Sequence, residues 1–263
     1  MHNTSTFAPE KRKEKVSLLV FHCFALSAKK MLEIMQQTGT GAHYIIQRNG
    51  KIINLTAENM VAYHAGISSW REFSGGINAR SIGIELQNSA MGNAQYTKAQ
   101  IASLSFLAKE IIQRHEIKAQ NIVGHSDIAP FRKPDPGIYF PWEVLAKSGI
   151  GIWPKLNENA FSNAPLDREE ITELLQKIGY NTTDLSAALY AFCARFIPQK
   201  ISVQKDIIKK EEQVFAYWQK FKADEIADKI SSAPKIYPKS AQDLFADTKV
   251  HARLKTIAEM YGN

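Results

Sequence analysis

Five side chains in this 263-residue chain have the types and settings to do chemistry together. Three lie in GHSDIAPFRKPDPG, residues 124–137: His125, Lys133 and Asp135, set among three prolines. A proline disfavours the helical region for the residue before it and pushes that residue to extended geometry. Lys133 precedes Pro134 and Asp135 precedes Pro136, so both are expected extended. Residues two apart in an extended chain point the same way. The segment therefore aims an ammonium and a carboxylate at one side with little entropy left to lose. The other two are His22, in the apolar run SLLVFHCFAL, and Glu85, in SIGIEL. Glu85 shares a strand face with Ser81 and Gly83, while Ile82, Ile84 and Leu86 take the other. An ionised carboxylate on a buried strand is costly unless it is paired or near a cation.

Two imidazoles, one carboxylate and an open fourth position describe a catalytic zinc site, with one Zn2+ per chain. His22, His125 and Asp135 are the expected ligands. Glu85 is the expected proton acceptor for a nucleophilic water, and Lys133 the group that meets a developing oxyanion. Zinc lowers the pKa of water from about 16 to about 7. Each residue also has a plainer reading. A lone strand histidine such as His22 is commonly a hydrogen-bonded core residue. Glu85 alone reads equally as a structural ion pair, and Asp127 reads as a cap before it reads as a partner of a ligand. His43, in a hairpin strand, and His64, in the loop YHAG at a site edge, are further candidates for substrate contact. Cys23 adjoins His22 but faces the opposite way, which keeps it off the metal.

The elements that must position these groups follow from the pattern. Residues 16–25 read as a buried strand, and Ser27 caps a helix that ends near Gly39. AHYIIQRNGKIINL is a hairpin turning at Asn49 and Gly50. Residues 81–86 are a strand. Thr97 and Gln100 stand in capping-box spacing before a helix carrying Ile101, Leu104, Leu107, Ala108, Ile111 and Ile112. NIVGH returns to strand, which puts His125 where a strand gives way to a loop. The expected fold is α/β, a mixed central sheet flanked by helices, followed by a smaller all-α domain.

The expected divisions are a polar arm over 1–15, a catalytic domain over 16–150, a linker over 151–165 and a helical domain over 166–263. Residues 202–230 read as one long amphipathic helix, with Ile207, Ile208, Val214, Phe215, Trp218, Phe221 and Ile226 on one stripe. That stripe packs on its own domain or, as the alternative, forms a homodimer seam. A short helix is expected after SSAPKIYPKS.

Composition narrows the class. At 44% hydrophobic and 10% aromatic the chain is a folded one with a sizeable core. A formal net charge of +7 suits an acidic partner. No arginine-rich stripe interleaves with aromatics, so nucleic acid is not the expected one. Two cysteines without CxxC spacing make no disulfide framework and fit a reducing compartment. KRKEKVSLLVFHCFALSAKK imitates a secretory signal, but a histidine and a cysteine interrupt its apolar run, and the run is too short to span a bilayer. The expectation is a cytoplasmic protein without a transmembrane segment, with the periplasm or cell envelope as the alternative.

The motifs FHCFALS, AHYIIQRNGKIINL, AYHAG, NARSIGIELQN and VGHSDIAPFRKPDPG occur in the order seen in zinc-dependent N-acetylmuramoyl-L-alanine amidases of the AmpD and AmiD type. These share their fold with the peptidoglycan recognition proteins. The resemblance covers roughly residues 16–150. It implies zinc at His22, His125 and Asp135, Glu85 as catalytic acid and base, and Lys133 as stabiliser of the tetrahedral intermediate. The implied reaction is hydrolysis of the amide joining the lactyl group of N-acetylmuramic acid to L-alanine, on peptidoglycan or a muropeptide. Cys23 and Phe24 stand where the family usually shows tyrosine and threonine. Residues 166–198 resemble the three-helix peptidoglycan-binding module found behind some of these amidases, with a shortened loop and Cys193 in place of a glutamine. Arg80 and Arg132 flank the site motifs and are candidates for binding stem-peptide carboxylates. The rival class is a peptidoglycan sensor or scaffold that binds without cutting, which would need neither Glu85 nor Lys133.

Overall fold

The computed structural model describes residues 10–154, 165–221, 225 and 229–262. Five strands form a mixed sheet: β1 (Leu18–Phe24), β2 (Tyr44–Ile46), β3 (Ile52–Asn54), β4 (Ser81–Gln87) and β5 (Ile122–Gly124), in the order β3-β2-β4-β1-β5. β1 runs parallel to β4 and β5, β4 runs parallel to β2, and β2 and β3 form the antiparallel hairpin. Gly50 turns that hairpin with φ +84°, and a Cβ there would meet the Ala99 carbonyl oxygen at 2.9 Å. Every residue of β1 is buried, as expected for a parallel strand covered on both faces.

The two faces bury different partners. Leu19, Phe21 and Cys23 of β1 and Ile82, Ile84 and Leu86 of β4 pack against Leu104, Leu107, Ala108 and Ile111 of α3 (Lys98–His115). α3 opens with the Thr97–Gln100 capping box that the spacing predicts. α1 (Ala28–Thr38) is capped by Ser27 and ends at Gly39 in left-handed geometry. α2 (Ile77–Arg80) is a single turn before β4.

The opposite face carries Leu18 and Val20, and these share one core with Ile171, Leu175, Leu189 and Phe192 of the C-terminal helices α6 (Arg168–Ile178) and α7 (Leu185–Phe196). The helices thus form the second layer on the sheet. His22 and Glu85 lie on this same face, further along the strands. α4 (His125–Ile128) and α5 (Trp142–Lys147) follow β5.

Three expectations need revising. Of the helix expected over 202–230, the described residues form a helix at Ile207–Trp218 (α8), and 222–224 and 226–228, with Ile226 of the expected stripe, lie outside the described residues. Before it, the Gln204 side chain donates to the Tyr190 hydroxyl at 2.9 Å and the Ile236 carbonyl at 3.3 Å, which spends the local chain on tertiary bonds. After it, the chain turns at 219–220, behind Trp218, whose ring packs 5.4 Å from that of Phe131. The last helix, α9 (Thr248–Tyr261), runs for 14 residues from an Asp247 cap and is not short. Residues 10–15 are no free arm. Lys11 bridges Met60, and Arg12 reaches the carbonyls of Met60 and Ser81 at 2.9 and 3.0 Å. Most of the expected linker, residues 155–164, lies outside the described residues, as do 1–9 of the expected arm.

Candidate metal centre

In the parallel register between β1 and β4, His22 stands directly beside Glu85, so both project from one face on neighbouring strands. β5 pairs Gly124 with Phe21, which brings His125, the first residue of α4, level with His22. This is the carboxyl end of the parallel strands, where α/β sheets place their functional groups. The proline-rich loop then returns Asp135. Its carbonyl accepts from the Ser126 N–H at 2.7 Å, and the Asp135–Pro136 bond is cis.

Three atoms converge. His22 Nδ1 lies 2.9 Å from His125 Nδ1 and 3.3 Å from Asp135 Oδ2, and His125 Nδ1 lies 3.2 Å from the same oxygen. All three residues are 5% exposed or less. Atoms held by a tetrahedral zinc at 2.0–2.1 Å stand about 3.3–3.4 Å from one another. The triangle is within a few tenths of an ångström of that spacing, so the residues fit a metal. Protonation states agree. Burial pushes the His125 imidazole down to about 3 and keeps it neutral. Burial works against an ionised Asp135, but His125 and His22 outweigh it and hold the carboxyl well below its ordinary range. A neutral imidazole and an ionised carboxylate are the forms that bind a cation.

Glu85 sits against this triangle. Burial pushes its carboxyl up to about 7, against the pull of His22. Its Oε2 is buried and has no hydrogen-bond partner among the described residues. Such an orphaned acceptor points at something that is neither backbone nor side chain.

Lys133, on the loop that carries Asp135, makes an ion pair through its ammonium with Glu211 of α8. The Phe215 ring lies 5.5 Å from the same nitrogen. α8 therefore contributes to the site, which sequence reasoning missed. Glu211 is 78 residues from Lys133, and one glutamate on the polar side of an amphipathic helix carries no signal of its own. Asp127 does more than cap. It accepts from the Gly124 N–H at 2.7 Å, from the Tyr180 hydroxyl at 2.6 Å and from Arg195 at 2.6 Å.

The remaining candidates do not line an open cleft. His64 lies behind His22, its Nδ1 2.9 Å from His22 Nε2, rather than at a site edge. His43 is deeper still: its Nδ1 accepts from the Gly83 N–H at 3.0 Å, and its Nε2 lies 3.2 Å from the Met60 carbonyl. Arg132 is buried behind His125 and donates to the carbonyls of Ala65 at 2.6 Å and Ile67 at 3.0 Å. Burial lowers its guanidinium to about 10. Arg80 precedes β4 and pairs with Glu14 at 2.9 Å. At about 3.3 Å per residue, that end of the strand is ~15 Å from Glu85. These two arginines are held by structural partners, as isolated side chains near motifs often are. Cys23 faces the α3 core, on the sheet side away from His22.

A mixed sheet with a buried His-His-Asp cluster and an adjoining carboxylate at its carboxyl edge defines a candidate metallohydrolase. The family profile of N-acetylmuramoyl-L-alanine amidase matches residues 12–138. AmiD of Escherichia coli K12 is 38% identical over 187 residues, which cover 64% of this chain and 67% of that protein. The AmpD 1,6-anhydro-N-acetylmuramyl-L-alanine amidase of Haemophilus influenzae is 42% identical over 113 residues, covering 43% of this chain and 60% of that one. Among solved structures, E. coli AmiD in complex with the substrate anhydro-N-acetylmuramic acid-L-Ala-D-gamma-Glu-L-Lys superposes with a TM-score of 0.70 at 29% identity, over 95% of this chain and 91% of that one. AmpDh3 of Pseudomonas aeruginosa gives 0.72 at 26% identity, over 100% and 97%. The chain belongs to the N-acetylmuramoyl-L-alanine amidase family.

Proposed function

We propose that this chain hydrolyses the amide between the lactyl group of anhydro-N-acetylmuramic acid and L-alanine of a stem peptide, with one zinc ion as cofactor. The observation that carries this reading is the triangle of His22, His125 and Asp135 with, beside it, a Glu85 Oε2 that has no hydrogen-bond partner among the described residues. The relatives supply the substrate class: AmiD and AmpDh3 each have a structure with an anhydromuramic peptide.

His22, His125 and Asp135 would hold the zinc. When bound it supplies Lewis acidity, polarising a carbonyl and making water acidic near neutral pH. Glu85, beside His22 on the neighbouring strand and free of a partner at Oε2 among the described residues, is the group that would take a proton from the attacking water. As the carbon–oxygen bond forms, the carbonyl becomes an oxyanion, and Lys133, on the loop that carries Asp135 and paired with Glu211, is the residue that would meet that charge. When the carbon–nitrogen bond breaks, Glu85 returns its proton to the leaving amine of L-alanine. The muramyl product keeps the new carboxylate.

The test is digestion of a 1,6-anhydro-muropeptide and of intact sacculi, read by mass spectrometry, with a chelator and with zinc added back. Free stem peptide that disappears with the chelator and returns with zinc is the expected result. Tight binding of both substrates with no cleavage under any condition would instead make the chain a peptidoglycan sensor.

A further inference from the structure

Metal-bound histidines need one ring nitrogen deprotonated toward the cation and the other held by a partner. Here the partners of His22 form a buried chain whose proton positions are decided one after another. Ser81 Oγ lies 2.6 Å from the Ile77 carbonyl, an oxygen that can only accept, so the hydroxyl proton goes there. Ser81 Oγ is left as an acceptor for His64 Nε2, 3.1 Å away, which must carry its proton. His64 Nδ1 then offers a lone pair, and His22 Nε2, at 2.9 Å, donates to it. The lone pair of His22 that remains is on Nδ1, the atom facing His125 and Asp135.

The neighbouring residue serves the other imidazole. His125 Nε2 lies 3.2 Å from the Ala65 carbonyl. Arg132 Nη2 is also near, at 3.3 Å, but its two protons are committed to Ala65 at 2.6 Å and Ile67 at 3.0 Å. His125 Nε2 therefore donates to Ala65, and its Nδ1 also faces the triangle. One dipeptide, His64-Ala65, thus sits behind both histidines. Asn78 fixes it, with Oδ1 accepting from the His64 N–H at 3.0 Å and the Ala65 N–H at 2.8 Å. Gly83 makes room for it. A Cβ at that position on β4 would stand 2.5 Å from His64 Cγ.

We infer that Ser81, His64 and Asn78 are positioning residues of the metal centre: they set the tautomers that present Nδ1 of both His22 and His125 to the cation. This rests on the zinc reading above but not on the substrate, and it gives His64 a role behind the ligand in place of substrate contact.

The test uses the full chain and zinc alone. Zinc affinity is measured by competition with a chromophoric chelator for wild type, Ser81→Ala and Ser81→Thr. Losing such a partner lowers metal affinity by about 10- to 100-fold. Ser81→Ala is expected to fall in that range, and Ser81→Thr, which keeps the hydroxyl, to stay near wild type. Histidine 15N NMR of the zinc-loaded wild type is expected to show protons on Nε2 of both His22 and His64. Wild-type affinity in Ser81→Ala, or a proton on Nδ1 of His64, overturns the inference. The NMR result decides the matter even where a variant fails to fold. Failure of wild type to bind zinc would strike the cofactor reading, a separate outcome.

Discussion

Glu85 offers a titration that the folded protein should report by itself. In the metal-free protein its carboxyl is raised from 4.5 to about 7, with burial as the main cause. In the unfolded chain it loses its proton near the ordinary value. Between these two pH values the unfolded state binds fewer protons than the folded one, so stability falls as pH rises. The window runs from about 4.5 to about 7, and the shift corresponds to about 3 kcal/mol. Glu85→Gln keeps the shape and has no proton to lose. Urea unfolding of both chains with a chelator present, followed by tryptophan fluorescence from pH 4 to 8, isolates the effect. Any constant offset between the two proteins reflects the amide itself. The difference that grows with pH reflects the carboxylate, and it should favour Glu85→Gln by about 3 kcal/mol once pH exceeds 7. With zinc present the slope should shrink, because a cation stabilises the ionised form. Two curves that stay parallel across the range would refute a buried carboxyl of raised pKa, and with it the proton-transfer role built on it. In the zinc-loaded enzyme, Glu85→Gln should keep the metal and lose about 10²- to 10⁴-fold in turnover.

Two further outcomes follow from contacts between the sheet and the C-terminal helices. Arg195→Met leaves Asp127 buried without its cation and should destabilise the fold by about 3–5 kcal/mol, while the pair Asp127→Asn with Arg195→Met should recover part of that in chemical denaturation. An additive double variant would show that the two groups do not interact. Glu211→Gln removes one of the charges that raise Glu85, so the acid limb of the kcat/KM profile should move to lower pH; an unchanged limb would separate Glu211 from the site.

The parts of the site legible from sequence were those carried by strand periodicity and proline stiffness. His22 and Glu85 stood out because an alternating apolar pattern makes a polar residue on the buried face an anomaly, and both lie on the face expected for them. The hairpin at Gly50 and the Thr97 cap were legible because their geometry is local. What stayed hidden depended on distant partners. No spacing rule links Ser81 to His64, or Glu211 to Lys133, since each pair meets through tertiary packing alone. The ends of α8 are not legible, because an amphipathic stripe does not reveal where Gln204 or Trp218 finds a partner.

Asp127 stands two residues after His125 and eight before Asp135, yet it is clasped by Tyr180 and Arg195 from the other layer. The loop that presents two of the ligands is thus anchored in the C-terminal helices as well as in the sheet. The helices are not cargo that could be exchanged for another attachment by splicing at the junction. Any graft onto this sheet has to bring its own arginine and tyrosine to Asp127, or the loop loses its footing along with Leu18 and Val20 losing their cover.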